Sequence, residues 1–247
     1  GFVAVGYVNA QDPSNTFYTE GEGYVTFLSK EGIKQDGINV KAYLSHAYRV
    51  NLFEDELIIA GLTEGSNDYG IIKTKISGDI VWNKVYGGNK SDHCFGMDIN
   101  NDGEIFLTGH TLSGTQNWDT YTMKIDNEGN QIWENKVGNP RGFDPEYIHD
   151  EAWGIKSTKD GGCVIVAGTG DEYNNYKKKC GKQGDNSNTW HVYVVKFSAD
   201  GIVNWQKTYG GEKGENWAGE DINLTEDGGA IIAVDNGEFG FLKIESF

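Results

Sequence analysis

Ile80-Val81-Trp82-Asn83-Lys84-Val85-Tyr86-Gly87-Gly88 returns as Val203-Asn204-Trp205-Gln206-Lys207-Thr208-Tyr209-Gly210-Gly211, and that recurrence decides the fold. A shorter copy, Ile132-Trp133 followed by Lys136-Val137-Gly138, lies between them. In all three a glycine stands four residues before the tryptophan (Gly78, Gly129, Gly201). A lysine stands five residues before that glycine (Lys73, Lys124, Lys196). Coincidence at two fixed spacings is the mark of a duplicated unit, and a period of roughly 50 residues belongs to blade-like repeats.

A second element precedes each unit. Lys159-Asp160-Gly161-Gly162 and the apolar run to Gly168 match Asn101-Asp102-Gly103 with its run to Gly109, and Glu226-Asp227-Gly228-Gly229 with its run to Ala233. Leu57 to Gly61 and Phe2 to Gly6 are weaker copies. Asp-Gly between alternating apolar runs marks a hairpin, because glycine accepts the positive φ such turns need. Each unit therefore predicts four strands, A to D. Strand A falls near 46–53, 93–100, 151–158 and 217–224; strand B near 2–6, 57–61, 104–109, 163–168 and 229–234. Strand C falls near 23–29, 69–75, 119–126, 191–198 and 239–244; strand D near 36–43, 80–86, 131–137 and 203–209. Short strands at even spacing with one recurrent aromatic predict a single all-β domain over residues 1–247, a β-propeller of about five four-stranded blades. The first unit has no strand A and the last no strand D, so the ends are expected to close incompletely, either as an imperfect ring or as part of a longer propeller. A β-sandwich or an orthogonal barrel is the rival architecture.

The pattern Asp-Gly-Gly, apolar run and Gly, then Val-Val-Lys, then Trp-x-Lys-x-Tyr-Gly-Gly, resembles the propeller repeats of secreted bacterial surface proteins. The resemblance covers residues 46–247 well and 1–45 poorly, where Phe27 and Asp36 replace the Lys and Trp. It implies a propeller in a secreted or cell-surface setting. It implies no catalytic residue, because that family carries no single activity.

Composition narrows the partners. With 37 acidic and 21 basic residues the 247-residue chain has a net charge of −16. A surface that negative repels nucleic acid, whose binding needs Lys and Arg to displace counterions. No run of apolar residues is long enough to span a membrane. Gly at 35 against Pro at 3 suits many tight turns. Three cysteines, Cys94, Cys163 and Cys180, make no disulfide framework. Cys163 and Cys180 fall at opposite ends of a strand and cannot bridge; Cys94 with Cys180 is geometrically open.

Antiparallel order puts the A–B and C–D turns on one rim and the B–C and D–A loops on the other. The first rim has minimal turns. The second carries residues 7–22, 138–150 and 169–189, and long loops in a compact domain are where function concentrates. All five histidines map to that rim: His46, His93 and His149 entering A strands, His110 leaving a B strand and His191 entering a C strand.

Aligned A strands give the candidate site. Tyr48, Phe95 and Trp153 share one repeat position, and His46, His93 and Glu151 another. Because innermost strands converge on an axis, His46, His93 and Glu151 are the candidate metal or acid–base site, two imidazoles and a carboxylate suiting a divalent transition metal. Arg49, standing where Gly96 and Gly154 stand, is a candidate for neutralising a substrate carboxylate. With Tyr48 and His46 as acid and base it gives a candidate catalytic set for a polysaccharide lyase or hydrolase. Its alternative is a structural ion pair with Asp221 or a nearby Glu. Asp98-Ile99-Asn100-Asn101-Asp102-Gly103 has the opening spacing of a calcium loop, without a Glu at the twelfth position, where Gly109 falls; a plain hairpin is the competing reading.

Aromatics on the long-loop rim, with Trp118, Tyr147, Trp153, Trp190, Trp217 and Arg141 as candidate ligand contacts, suit carbohydrate, since ring faces stack on sugars while neighbouring Asn and Asp bond hydroxyls. Trp82, Trp133 and Trp205 recur at one position and are expected to pack. The basic stretch Lys177 to Lys182 suits an anionic ligand or mere solvation of a long loop. The expected function is binding of a ligand, carbohydrate before protein, on the long-loop face; the alternatives are a polysaccharide lyase or hydrolase at the channel mouth and a protein-interaction module of a larger assembly.

Overall fold

The computed structural model describes residues 1–12, 14, 20–65, 68–138, 148–170, 189–210 and 215–247. The described residues form five antiparallel sheets and no helix, so none is present that is long and apolar enough to cross a membrane. Sheet one is β1 (Phe2–Val8), β2 (Glu22–Leu28) and β3 (Lys34–Asn39). Sheet two is β4 (His46–Phe53), β5 (Glu56–Leu62), β6 (Tyr69–Lys75) and β7 (Ile80–Tyr86). Sheet three is β8 (Asp92–Ile99), β9 (Ile105–Thr111), β10 (Asp119–Ile125) and β11 (Gln131–Val137). Sheet four is β12 (His149–Ser157), β13 (Cys163–Gly170), β14 (His191–Phe197) and β15 (Val203–Tyr209). Sheet five is β16 (Ala218–Leu224), β17 (Ala230–Asp235) and β18 (Phe239–Ile244).

The sheets stack in chain order. Inner strands β4, β8, β12 and β16 touch in succession, β1 lies against β4, and among the described residues no comparable contact joins the strands of sheet one to those of sheet five. Each interface buries one face of a sheet against the next, as where Val164, Val166, Val192 and Val194 of sheet four meet Ile222, Ala230, Ile232 and Val234 of sheet five. The repeated sequence motifs are the clasps of these interfaces. Trp82 Nε1 donates to the Asn127 carbonyl (3.1 Å) and Trp133 Nε1 to the Ala199 carbonyl (2.9 Å), each reaching the C–D turn of the following sheet. The Trp133 ring covers Gly201, where a Cβ would stand 2.5 Å from it and where φ is +77°. Lys73, Lys124 and Lys196 are buried beside Glu56, Glu104 and Asp160 at 2.7, 2.8 and 2.8 Å. Packing, as the repeat predicts, is what the three tryptophans do.

Every inner strand carries the same bulge. Pairing with its neighbour skips Tyr48, Phe95, Trp153 and Glu220 in sheets two to five. An extra residue on one strand turns its side chain out of the ladder. The bulge brings the His46 and His93 carbonyls down onto the facing B strands, where a Cβ at Gly61 or Gly109 would lie 1.8 or 1.7 Å from those oxygens. Glycine closes the apolar run of the motif for that reason.

One strand differs from expectation. Strand D of the first unit runs over Lys34–Asn39, not 36–43. Beyond it the chain folds into a tight turn, Tyr43 and Leu44 amides bonding the Val40 carbonyl, and Val40 and Leu44 drop into the core between sheets one and two. Two buried apolar anchors outweigh continuation of an edge strand that has Asp36 in place of the clasp tryptophan.

Candidate functional site

The bulge residues line one axis. Phe95 lies 5.0 Å from Tyr48 and 4.4 Å from Trp153, ring centre to ring centre, so aromatics of three sheets meet. Arg49 confirms the convergence: its Nε donates to the Phe95 carbonyl (2.7 Å) and its Nη2 to the Trp153 carbonyl (3.1 Å), tying β4 to β8 and β12. Among the described residues Arg49 makes no ion pair, so neither the pair with Asp221 nor one with Glu holds it. The main chain does.

A cavity of about 710 Å³ opens at the end of this axis on the B–C and D–A side. Arg49, Trp153 and Glu220 of the inner strands line it together with Asp235, Glu238 and Phe239 of the B–C hairpin of sheet five. Glu220 is exposed by surface area, yet partial desolvation in the cavity pushes its carboxyl up from the ordinary range, and the negative charges of Asp235 and Glu151 add to the effect. Glu220 takes in sheet five the bulge position held elsewhere by Tyr48, Phe95 and Trp153, so it was legible from the aligned A strands. The Asp235–Phe239 hairpin was not, because its short B–C loop carries none of the length by which functional loops are recognised.

The histidines stand at the long-loop ends of their strands, most of them buried. His46, His93, His110 and His149 are all buried, and His191 half-buried. His93 Nδ1 and His110 Nε2 are 3.1 Å apart across paired strands, with the Trp118 ring tilted against His93 at 4.7 Å and edge-on to His110 at 4.9 Å. Burial lowers His93 to about 4, Asp92 offsetting it in part, and His110 falls well below its ordinary value through burial and the nearby His93 and His149. His46 meets Ser45 Oγ at 2.9 Å, and Glu151 meets His149 Nδ1 at 3.5 Å. Each of His46, His93 and Glu151 thus answers to a neighbour in its own sheet. No three His, Cys, Asp or Glu side chains among the described residues are placed to share a metal ion, so the expected His46–His93–Glu151 set does not assemble.

The other candidates separate clearly. His46 and Tyr48 stack at 5.7 Å, and Tyr7 meets His46 edge-on at 4.3 Å, which joins them to the aromatic layer. Trp153 lines the cavity; Trp118, Trp190 and Trp217 do not. Trp190 lies on the main chain of β13, where a Cβ at Gly168 or Gly170 would stand 2.9 or 2.8 Å from its ring. Trp217 packs against the core between sheets four and five. Arg141, Tyr147, Cys180 and the stretch Lys177 to Lys182 lie outside the described residues. Cys94 and Cys163 are free, buried thiols. The calcium-like stretch is a hairpin: Asp98 accepts from the Ser157 amide (2.8 Å), Ser157 Oγ (2.7 Å) and Lys156 Nζ (3.2 Å), clasping sheet three to sheet four.

No family model matches this chain, and no curated protein matches it either. Solved structures do. One is a protein of unknown function from Bacteroides caccae, TM-score 0.52 at 11% identity, over 96% of this chain and 68% of that one. Another is Kuenenia stuttgartiensis hydrazine synthase, TM-score 0.56 at 12% identity, over 98% of this chain and 68% of that one. The likeness lies in the fold alone.

Proposed function

We propose that this chain is a five-bladed, incompletely closed β-propeller that binds a carbohydrate at the axial mouth on its long-loop face, in a secreted or cell-surface setting. The observation that carries the reading is the cavity walled by Trp153 and Phe239 and rimmed by Glu220, Asp235 and Glu238. An indole face offers apolar area to the C–H face of a sugar, while carboxylates accept from its hydroxyls. Acids in that number against Arg49, two of whose donors bond carbonyls, favour a neutral sugar over a uronic acid. The secreted setting rests on the repeat's resemblance alone.

The test is a glycan array followed by calorimetry of the hits against wild type, Trp153→Ala and Glu220→Gln. Saturable binding of neutral oligosaccharides, weakened at least tenfold by Trp153→Ala, is expected. Absence of any hit, or hits indifferent to both substitutions, removes the proposal.

A further inference from the structure

The clasps between sheets two and three and between sheets three and four share one plan and differ in one side chain. In each, the C-strand lysine lies opposite the tryptophan, Lys73 with Trp82 and Lys124 with Trp133. Each lysine also holds an acid from the start of its own B strand, Glu56 at 2.7 Å and Glu104 at 2.8 Å. The turn of the following sheet supplies the difference. Between sheets three and four it presents Ala199, whose carbonyl takes the Trp133 N–H, and Lys124 Nζ reaches the Gly161 carbonyl at 3.4 Å. Between sheets two and three the equivalent residue is Asn127. Its main-chain carbonyl takes the Trp82 N–H (3.1 Å), and its side-chain Oδ1 accepts from Lys73 Nζ (2.9 Å).

Amine, carboxamide and carboxylate therefore meet at one nitrogen. The Lys73 side chain is 7% exposed, and Glu56 and Asn127 are half-buried. The turn that carries the amide is pinned from β7: Trp82 bonds the Asn127 carbonyl, and Tyr86 Oη donates to the Gly129 carbonyl at 2.7 Å. Oδ1 belongs to the amide carbon, so Nζ already stands beside Cγ. Holding a nucleophile against its electrophile replaces a bimolecular encounter with a unimolecular step. A lysine amine becomes a nucleophile when a neighbouring base takes its proton, and Glu56 is that base.

We infer that Lys73 and Asn127 join in an intramolecular isopeptide bond that links sheet two covalently to sheet three. Nζ attacks Cγ, the new C–Nζ bond forms and the Cγ–Nδ2 bond breaks. Glu56 carries two protons in turn from Nζ to the departing Nδ2, which leaves as ammonium. One ammonium group and one carboxamide thus become a secondary amide and a free ammonium ion. Atoms and charge balance, Glu56 ends as it began, and no oxidant or co-reactant is consumed. The half-exposure of Asn127 gives the released ammonia a way to water. Lys124 has no such reaction open to it, because Ala199 offers no acyl carbon on its side chain.

Mass spectrometry of the denatured intact protein tests the bond. The wild type is expected to be lighter than its sequence mass by one ammonia. A tryptic digest should then contain a branched peptide in which Lys73 is uncut and carries the segment with Asn127, while Lys124 is cut normally. Asn127→Ala keeps the main-chain carbonyl that Trp82 needs, as Ala199 does for Trp133, and should return the chain to its full sequence mass with Lys73 cut. Glu56→Gln should do the same. A wild type of full sequence mass overturns the inference. So does an ammonia deficit found in an unbranched Asn127 peptide, which is the asparagine closing on its own backbone, or a deficit that persists in Asn127→Ala. A branched peptide that survives Glu56→Gln overturns the part given to the carboxylate.

Discussion

The two rims of this molecule are built by opposite rules. On the short-turn rim the same residues do the same work in sheet after sheet: Trp82 and Trp133 bond the next C–D turn, and Lys73, Lys124 and Lys196 lie buried beside an acid. At the mouth, equivalent positions diverge. The bulge holds Tyr48, Phe95, Trp153 and then Glu220, and the strand-entry position holds His46, His93, Glu151 and then Ala218. Repetition marks what stacking requires. Divergence marks where stacking accepts several side chains, buried as at His46, His93 and Phe95 or lining the cavity as at Trp153 and Glu220.

That contrast can be broken by substitution at each rim. The largest effect is expected from Trp133→Ala, which removes a clasp and opens a hole over Gly201. About 3–5 kcal/mol of stability should go, read as a fall of roughly 6–20 °C in the calorimetric midpoint, with sugar binding at the mouth retained at temperatures where the variant is folded. Gly109→Ala is expected to cost about 3 kcal/mol, because its Cβ would stand 1.7 Å from the His93 carbonyl oxygen and 2.8 Å from the Tyr69 hydroxyl, and the main chain of β8 must shift to admit it. Loss of binding with unchanged stability in either variant would invert the assignment of the rims.

The buried histidines sharpen the contrast through pH. His93 titrates in the folded protein at about 4, below its ordinary 6.5, so the unfolded chain binds the proton first. Stability should therefore be full above pH 6.5 and fall as pH drops towards 4, by roughly 3 kcal/mol from this residue alone. His93→Gln should flatten that part of the profile in denaturant titrations run between pH 7 and 4. A wild-type midpoint constant over that range would show that His93 is charged or solvated. The smallest effect is expected from Gly129→Ala, at φ +79° in a C–D turn: about 1 kcal/mol, seen as a small midpoint shift.

The strands were legible because their boundaries are local. Asp160-Gly161-Gly162 and Asn127-Glu128-Gly129 state a turn in three letters, and pairing follows from the apolar runs between them. The 36–43 segment failed because Val40 and Leu44 answer to a core that only the tertiary fold creates. The same limit applied at the mouth. Alignment showed that His46, His93 and Glu151 are equivalent in three units, yet equivalence along a repeat says nothing about distance across an axis. Ser45, His110 and His149, each near in its own sheet, took them first. Exposure was equally hidden: Trp190 and Trp153 look alike in sequence, but one lies on glycine main chain and the other walls the cavity.

Hydrogen exchange by mass spectrometry, with and without a saturating oligosaccharide, tests the account most directly. Slowed exchange confined to the mouth segments 150–155, 218–222 and 233–240, with the short-turn segments 126–130 and 198–202 unchanged, is the expected result. Protection centred on the short turns, with the mouth untouched, would place recognition on the repeated rim and contradict the account.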